Sequence, residues 1–392
     1  MTSTAIDRKL RGATRPTWAE VSLSALRHNF RAVQQHVGAE VCVCAVVKAD
    51  AYGHGAVRCA LALQEECARW FGVTSLDEAI PLREAGIRGR ILLMTGFWPS
   101  EEEELIHLQL TPTIWETSQI AVLNKAAAKL GVAQYPVHLK IDTGMGRLGA
   151  PLSQLPKVCE TLRSSPHLFL EGVSTHFASS EVLDAASVDE QLSRFDEALA
   201  TLRREGFNPT LVHSANSTAI ISRPNSWYQM VRPGISLYGY HLPFECAGGE
   251  AGESAPQLRF KPALAWNTRI LSLREVAGGQ PLGYGGTYVT KAPARIAVLP
   301  VGYADGLNRQ ISSRGRVIVR DTYSQIVGRI SMDLTLVDVT AVRDVCVGDE
   351  VILLGASGGV RIDAHEHARL ANTIAYEILC NISKRVPRHY SE

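Results

Sequence analysis

From residue 24 to 240 the chain alternates between amphipathic helical segments and short apolar runs, about eight times over. The helical segment Leu23–Val37 precedes the β-rich run Val41–Val47, Ala56–Ala68 precedes Phe71–Thr74, and Leu76–Ala85 precedes Ile91–Met94. Glu101–Leu108 is followed by Leu110–Ile114, Ser118–Leu130 by Val137–Ile141, and Leu152–Leu162 by Glu171–Thr175. Val188–Glu205 leads into Thr210–His213, and the short stretch Ser217–Ile221 leads into a last apolar run, Gly234–Leu237. Regular alternation of this kind demands parallel strands joined by right-handed crossovers. Eight units over this length predict the α/β class and a closed (β/α)8, TIM-like barrel. An open doubly wound sheet is the alternative, but no GxGxxG follows any of these strands.

Past residue 240 the texture changes. Glu245–Gln257, "ECAGGEAGESAPQ", is small, polar and glycine-rich, as a linker is. The runs Ala263–Leu273, Ala294–Pro300, Arg316–Val319, Ser324–Val327, Leu334–Val339 and Glu350–Leu354 are β-like and separated by glycine turns. They predict a mostly antiparallel, β-rich domain. One helix is expected over Ala364–Leu379, opened by the capping pair Asp363 and Glu366. The expected division is a barrel over residues 14–250 and a β-rich C-terminal domain over 257–392.

Charge excludes some functions. Forty basic against 39 acidic residues leave a net charge of +1, which advertises neither nucleic acid nor an acidic membrane surface. The apolar runs fall short of the ~20 residues that a membrane span needs. The opening "MTSTAIDRKLRGATRPTW" is polar, with no apolar secretory core, so a cytoplasmic protein is expected. The eight cysteines are scattered with no CxxC pair, which predicts reduced, mostly buried thiols and no zinc site. "HEH" at His365–His367 lacks a third ligand and i,i+4 spacing, so no metal is expected there. "EEEE" at Glu101–Glu104 suits the positive end of a helix dipole and needs no further role.

The first barrel strand ends on Lys48, followed by "ADAYGHG". Strand C-terminal ends carry the chemistry of a barrel. A lysine there is either a solvated charge or an amine that forms a Schiff base, which a partly buried site can deprotonate. Gly53 and Gly55 permit a tight turn beside a ligand, and Tyr52 offers a phenol to an anion. The stretch "AVVKADAYGHGA" resembles the pyridoxal-phosphate lysine motif of the bacterial alanine racemases. "HLKIDTGMGRLG" (His138 to Gly149), "STHFASSE" (Ser174 to Glu181), "HSANSTA" (His213 to Ala219) and "VRPGISLYG" (Val231 to Gly239) resemble further signatures of that family. So do "LGYGGTY" (Leu282 to Tyr288), "GYADG" (Gly302 to Gly306), "GRISMD" (Gly328 to Asp333) and "TIAYEI" (Thr373 to Ile378), all in family order. The resemblance covers residues 17 to 388.

The resemblance implies a PLP-binding barrel and a β-domain in a head-to-tail homodimer with shared active sites. It implies interconversion of L- and D-alanine by two bases on opposite faces of the substrate, with D-alanine going to peptidoglycan. Lys48 is then the imine-forming lysine and the base for the D-enantiomer. Tyr284, from the partner subunit, is the base for the L-enantiomer. Tyrosine is a reluctant base, with an ordinary pKa of about 10, so something cationic must stabilise its phenolate. By resemblance His176 lies beside it, hydrogen-bonded to Arg232. Arg232 resembles the residue that faces the pyridine nitrogen. An arginine can only donate, which leaves that nitrogen unprotonated and the electron sink weaker. Ser217, Asn216, Gly234, Ile235, Tyr52 and Tyr376 are the implied cofactor ligands. Without the resemblance, Ser217 reads as a helix N-cap and Tyr376 as core. Arg147 and the backbone of Met332 are the implied carboxylate binders, with Asp333, Tyr303 and Arg329 lining the entry. Lys140 corresponds to a lysine that many relatives carry as a carbamate, which would separate converging cations.

The sequence departs from the family pattern at Ser331, where many relatives have cysteine, and at Leu307–Asn308, where an aromatic residue or proline is common. Neither touches the two bases. Serine or broader racemisation on the same scaffold is a second reading, because one methylene in an apolar pocket is worth only ~1–3 kcal/mol. A non-catalytic PLP carrier would need Lys48 but no second domain bearing Tyr284. A related barrel decarboxylase fits Arg232 poorly.

Overall fold

The computed structural model describes residues 15–183, 185–246 and 258–392. The polar opening segment up to residue 14 and most of the glycine-rich linker, residues 247–257, lie outside the described residues. The described residues form two compact units, one within residues 25–261 and the other of residues 15–24 with 262–392.

In the first unit, strands β2 (Cys42–Val46), β3 (Trp70–Val73), β4 (Arg90–Leu93), β5 (Leu110–Ile114), β6 (Tyr135–Lys140), β7 (Leu168–Ser174) and β8 (Leu211–His213) pair in chain order, all parallel. Strand β9 (Met230–Val231) pairs parallel with β2. Gln229 N donates to Val212 O (3.1 Å) and Arg232 N to Ala215 O (3.0 Å), which completes the ring against β8. The result is the (β/α)8 barrel that alternation predicts. One strand differs. The eighth is Met230–Val231, whereas the apolar run Gly234–Leu237 supplies a 3-10 turn over Ile235–Tyr238. Pro233 and Gly234 intervene, and the following run is apolar because it is buried, not because it is extended.

The strands are apolar because they are covered inside and out. Cys44, Trp70, Leu92 and Met230, from four neighbouring strands, form one interior cluster. The helices close the outside; Ala186–Arg204, for example, buries Val188, Leu192, Phe195, Leu199 and Leu202 at helical spacing.

The second unit is β-rich. Strand β1 (Thr17–Ser22) is antiparallel to Leu264–Arg269 and parallel to the C-terminal strand Arg388–Ser391. A barrel beginning at residue 14 therefore claims a strand that hydrogen-bonds in the other sheet. Alternation could not reveal this, because β1 leads straight into a helix as a barrel strand would. Leu264–Arg269 is antiparallel to Glu350–Ser357, which pairs with Arg316–Val319, itself paired with Thr322–Gln325. A second sheet contains Ser272–Val276, Ala294–Leu299 and Thr335–Asp338, again antiparallel. The expected single helix over Ala364–Leu379 is two helices, Ala364–Ala371 and Ala375–Cys380. The break falls at Asn372, which takes a left-handed conformation as a C-cap (φ 55°). Asp363 caps the first helix as expected, accepting from Glu366 N at 3.0 Å.

Three cysteines are buried, Cys44, Cys59 and Cys159, while Cys67, Cys346 and Cys380 are exposed, so the thiols are less uniformly buried than expected. No described helix is long and apolar enough to cross a membrane.

Candidate active site

Lys48 sits two residues beyond β2, and the chain then makes an unusual turn. Ala49, Asp50, Ala51 and Tyr52 all lie near φ 51–53°, the left-handed region. Each such L-residue costs roughly 1–2 kcal/mol. Surrounding contacts over-determine the turn. Glu78 accepts from Ala49 N at 2.7 Å and from Thr74 N at 2.7 Å, and the Asp50 carboxylate accepts from Ala56 N at 2.7 Å. The Tyr52 ring packs against Tyr238 at 5.0 Å between centroids, and Tyr238 Oη donates to Val46 O at 3.0 Å. The turn thus fixes Lys48 and Tyr52 together at the C-terminal rim of the barrel.

Beside this turn, beyond β8 and β9, Ser217 Oγ accepts from Gly234 N at 2.8 Å. A Cβ on Gly234 would stand 2.3 Å from Tyr52 Oη, so glycine at this position is what lets the phenol and this backbone meet. Ile235 opens a 3-10 turn, whose first N–H groups have no partner within the turn. Asn216 is the N-cap of the helix Ser217–Ser222, accepting from Thr218 N and Ala219 N, and Ser217 is its first helical residue. Ser217 therefore serves the Gly234 backbone while its neighbour does the capping.

Four cations and an imidazole converge at this rim. Burial, followed by the fields of Arg232, Arg147 and Lys48, lowers the Lys140 amine to about 8. Burial, followed by Arg232, Lys140, Arg147 and Lys48, pulls His176 down to about 3. Arg232 is buried; its Nη2 donates to Thr175 O (2.8 Å) and Ser214 O (3.0 Å), and stands 3.4 Å from His176 Nδ1. Burial lowers even this guanidinium to about 10. His176 is thus neutral, and the positive charge in the pair belongs to Arg232. Arg147 is exposed on the loop after β6, which Asp142 shapes by accepting from Gly144 N and Gly146 N.

The neutral imidazoles have a consequence for stability. His138, His176 and His213 are all lowered from 6.5, chiefly by burial. The unfolded chain takes up protons as pH falls through 6.5, and the fold does not. Stability is therefore full above pH 6.5 and falls on acidification, by about 1 kcal/mol per pH unit for each fully buried imidazole. Denaturant midpoints at pH 7.5 and pH 5.5 check this. Equal midpoints would mean that these rings titrate freely in the fold.

The second unit presents its own candidate residues. Tyr284 lies in a turn closing the hairpin Pro281–Leu282 and Tyr288–Val289, and is 70% exposed. Gly283, Gly285 and Gly286 around it all have positive φ (71°, 72° and 56°), a path few other residues can follow. Met332 and Asp333 form the tip of a turn in which Leu334 N donates to Ser331 Oγ at 3.1 Å. Met332 O accepts from Ala304 N at 3.0 Å, tying the tip to the turn that holds Tyr303. The Asp333 carboxylate is held by Arg385 at 2.6 Å. Arg385 and Arg15 also flank the buried Asp305, at 3.0 and 3.1 Å. Tyr376 is the second residue of the helix Ala375–Cys380 and half-buried.

The donor set of the barrel rim fits pyridoxal phosphate. Lys48 offers an amine to its carbonyl, Arg232 a fixed donor, and Tyr52, Ser217 and the Gly234–Ile235 backbone a compact group of phosphate donors. Sequence reasoning missed the supports beneath this rim: Glu78 under the lysine turn, Tyr238 under Tyr52, and His213 behind Arg232. The Nδ1 of His213 accepts from Arg232 Nη1 at 2.7 Å. His213 opens the quoted stretch "HSANSTA", so the signal was present and unused.

Comparison with known proteins shows what the whole chain is similar to. The family described as alanine racemase, N-terminal domain, matches residues 21–242, and alanine racemase, C-terminal domain, matches residues 263–390. An alanine racemase of Halothermothrix orenii is 42% identical over 377 residues, covering 96% of this chain and 97% of that protein. One of Syntrophobacter fumaroxidans is 42% identical over 368 residues, covering 94% and 96%. Among solved structures, the alanine racemase of Streptomyces lavendulae superposes with a TM-score of 0.88 at 33% identity, over 97% of this chain and 98% of that one. The alanine racemase of Bacillus anthracis with bound L-Ala-P gives 0.87 at 33% identity, over 96% and 95%.

Proposed function

The chain belongs to the alanine racemase family, and from that membership we propose how its residues carry out the racemisation. The protein is a PLP-dependent racemase that interconverts L- and D-alanine, providing D-alanine for peptidoglycan. The observation that carries the residue assignment is the convergence of Lys48, Lys140, Arg147, His176 and Arg232 at one rim of the barrel.

Pyridoxal phosphate, when bound, supplies the electron sink that makes the α-proton of alanine removable. Lys48 holds the cofactor and moves the proton on one face of Cα. Tyr284 Oη, from a second copy of the chain, moves it on the other. Its exposure in a glycine-shaped turn supports a role outside its own unit. Arg232 supplies the positive field that His176, being neutral, cannot, and so favours the phenolate. Tyr52, Asn216, Ser217, Gly234, Ile235 and Tyr376 hold the cofactor. Arg147 and the Met332 backbone bind the substrate carboxylate, with Tyr303 and Asp333 at the entry. On this reading the barrel unit, which starts at residue 25, holds the cofactor, and the β-rich unit, with β1 and residues 262–392, completes a partner's site in a cytoplasmic homodimer. The test is a panel of L-amino acids assayed for D-product. Alanine should give the highest kcat/KM, and a clear excess for serine or another side chain would reassign the substrate.

Lys140 is proposed to carry a carbamate. An amine lowered to about 8 has an appreciable neutral fraction near neutrality, and the neutral amine is the form that attacks CO2. The ammonium first gives up one proton; the neutral amine then forms a C–N bond to CO2 as one C=O bond opens to a carboxylate, and a second proton leaves, so that a cation becomes an anion in the fields of Arg147 and Arg232. Protein equilibrated with 13C-bicarbonate should show one carbamate carbonyl resonance that Lys140→Ala lacks. An unmodified wild-type lysine would remove the assignment.

A further inference from the structure

Behind Arg232 runs a row of buried side chains that the reaction described above does not use. His213 Nδ1 faces Arg232 Nη1 at 2.7 Å, and His213 Nε2 faces His138 Nδ1 at 2.9 Å. His138 Nε2 stands 3.5 Å from Glu171 Oε2. Arg90 then clamps Glu171 with two donors, at 2.7 and 3.0 Å, while lying 4.7 Å over the Trp70 ring. Both imidazoles are buried inside the barrel, on β6 and at the end of β8, and Glu171 lies between them in sequence on β7.

The protons in this row can be placed by elimination. A guanidinium only donates, so His213 Nδ1 must accept. His213 is neutral, so its one proton is on Nε2 and is donated to His138 Nδ1. His138 is also neutral, so its proton is on Nε2, facing the carboxylate. Every donor thus points from Arg232 towards Glu171, and the two ring dipoles add. The packing is built for it: a Cβ on Gly172, next to Glu171, would stand 2.5 Å from the His138 ring. Apolar side chains in this interior would be as stable or more so, because buried polar rows recover little net energy.

We propose that Glu171, His138 and His213 form a positioning chain for Arg232, carrying a counter-charge to the buried guanidinium through two imidazoles held in the Nε2–H tautomer. Glu171 is kept out of the cofactor site, where a carboxylate would compete for the ring. Its charge still reaches the arginine through aligned dipoles, and His213 fixes the guanidinium plane. The catalytic consequence rests on the placement of Arg232 at the cofactor ring. The tautomers do not.

The test has two parts. The first is 15N-histidine NMR of the cofactor-free wild-type protein. His138 and His213 should both show a protonated Nε2 and an unprotonated Nδ1 at pH 7.5. An Nδ1–H tautomer or an imidazolium at either ring overturns the chain, whatever the enzyme's substrate. The second part is kinetic. His213→Leu and Glu171→Gln should lower kcat for alanine by about 10- to 100-fold, the usual scale for groups that orient a functional one. KM should stay within about threefold. His213→Gln, which keeps an acceptor for Arg232 and a donor for His138, should recover most of the loss. Wild-type kcat in both His213→Leu and Glu171→Gln, with only thermal stability changed, would make the row structural and overturn the proposal. A wild-type enzyme with the expected tautomers but no racemisation would instead refute the family activity.

Discussion

Lys48→Ala should abolish racemisation, by a factor on the order of 10^4 or more, the scale on which a member of a catalytic unit acts. The same substitution should remove the visible absorption of the enzyme-held cofactor. On the proposed assignment two functions are lost at once, the covalent hold and the base on one face. The fold should survive, because the positive-φ residues of the turn are Ala49 to Tyr52 and not Lys48 itself, and Glu78 grips Ala49 through its backbone. A melting midpoint close to wild type would separate lost chemistry from lost structure. Lys48→Arg makes the test sharper. It keeps the positive charge beside Lys140 and His176, but a guanidinium neither forms the covalent link nor gives up a proton at working pH. It should be as inactive as the alanine variant. Substantial activity in Lys48→Arg would reduce Lys48 to an electrostatic residue and end its assignment as a base.

The turn after Lys48 also shows what a linear sequence can and cannot disclose. A strand ending on lysine, followed by small residues, glycines and a tyrosine, was enough to mark the place. The barrel around it was legible because each helix–strand unit is local, and local periodicity survives in the sequence. The eighth strand was not, because Met230–Val231 is two residues long and is identified by partners on β2 and β8. For the same reason β1 went to the wrong unit: its partners, Leu264–Arg269 and Arg388–Ser391, lie at the far end of the chain. The site residues came from motifs, each readable in place. Their supports did not. Glu78 reaches Ala49 from the neighbouring helix–strand unit, His138 meets His213 across one intervening strand, and Tyr238 meets Tyr52 where β9 closes on β2, so each contact exists only once the strands have paired. The sequence called for something cationic beside the tyrosine and implied His176 and Arg232 there; burial beside Arg232 makes the imidazole neutral and leaves the charge on the arginine.

Tyr284→Phe should slow racemisation by about 10^2- to 10^4-fold, the usual contribution of a positioned general base. The loss must appear equally in both directions. L- and D-alanine have the same free energy, so kcat/KM for the two is equal in any variant, and a one-way loss is thermodynamically forbidden. The two faces are distinguished instead by isotope exchange. In D2O, Lys48 of the variant can still remove the α-proton of D-alanine and return a deuteron to the same face. D-alanine should therefore exchange its α-proton much faster than it racemises, while L-alanine should do neither. Equal exchange of both enantiomers would contradict the division of labour between Lys48 and Tyr284. Mixing completes the argument. Lys48→Ala and Tyr284→Phe each spoil a different component of the site. If every site takes its lysine from one chain and its tyrosine from the other, a mixed dimer has one site with both components intact and one with neither. Random re-pairing of equal amounts should then restore about a quarter of the wild-type sites. If both components came from one chain, no mixture would recover activity, and the exposed Tyr284 turn would need another explanation.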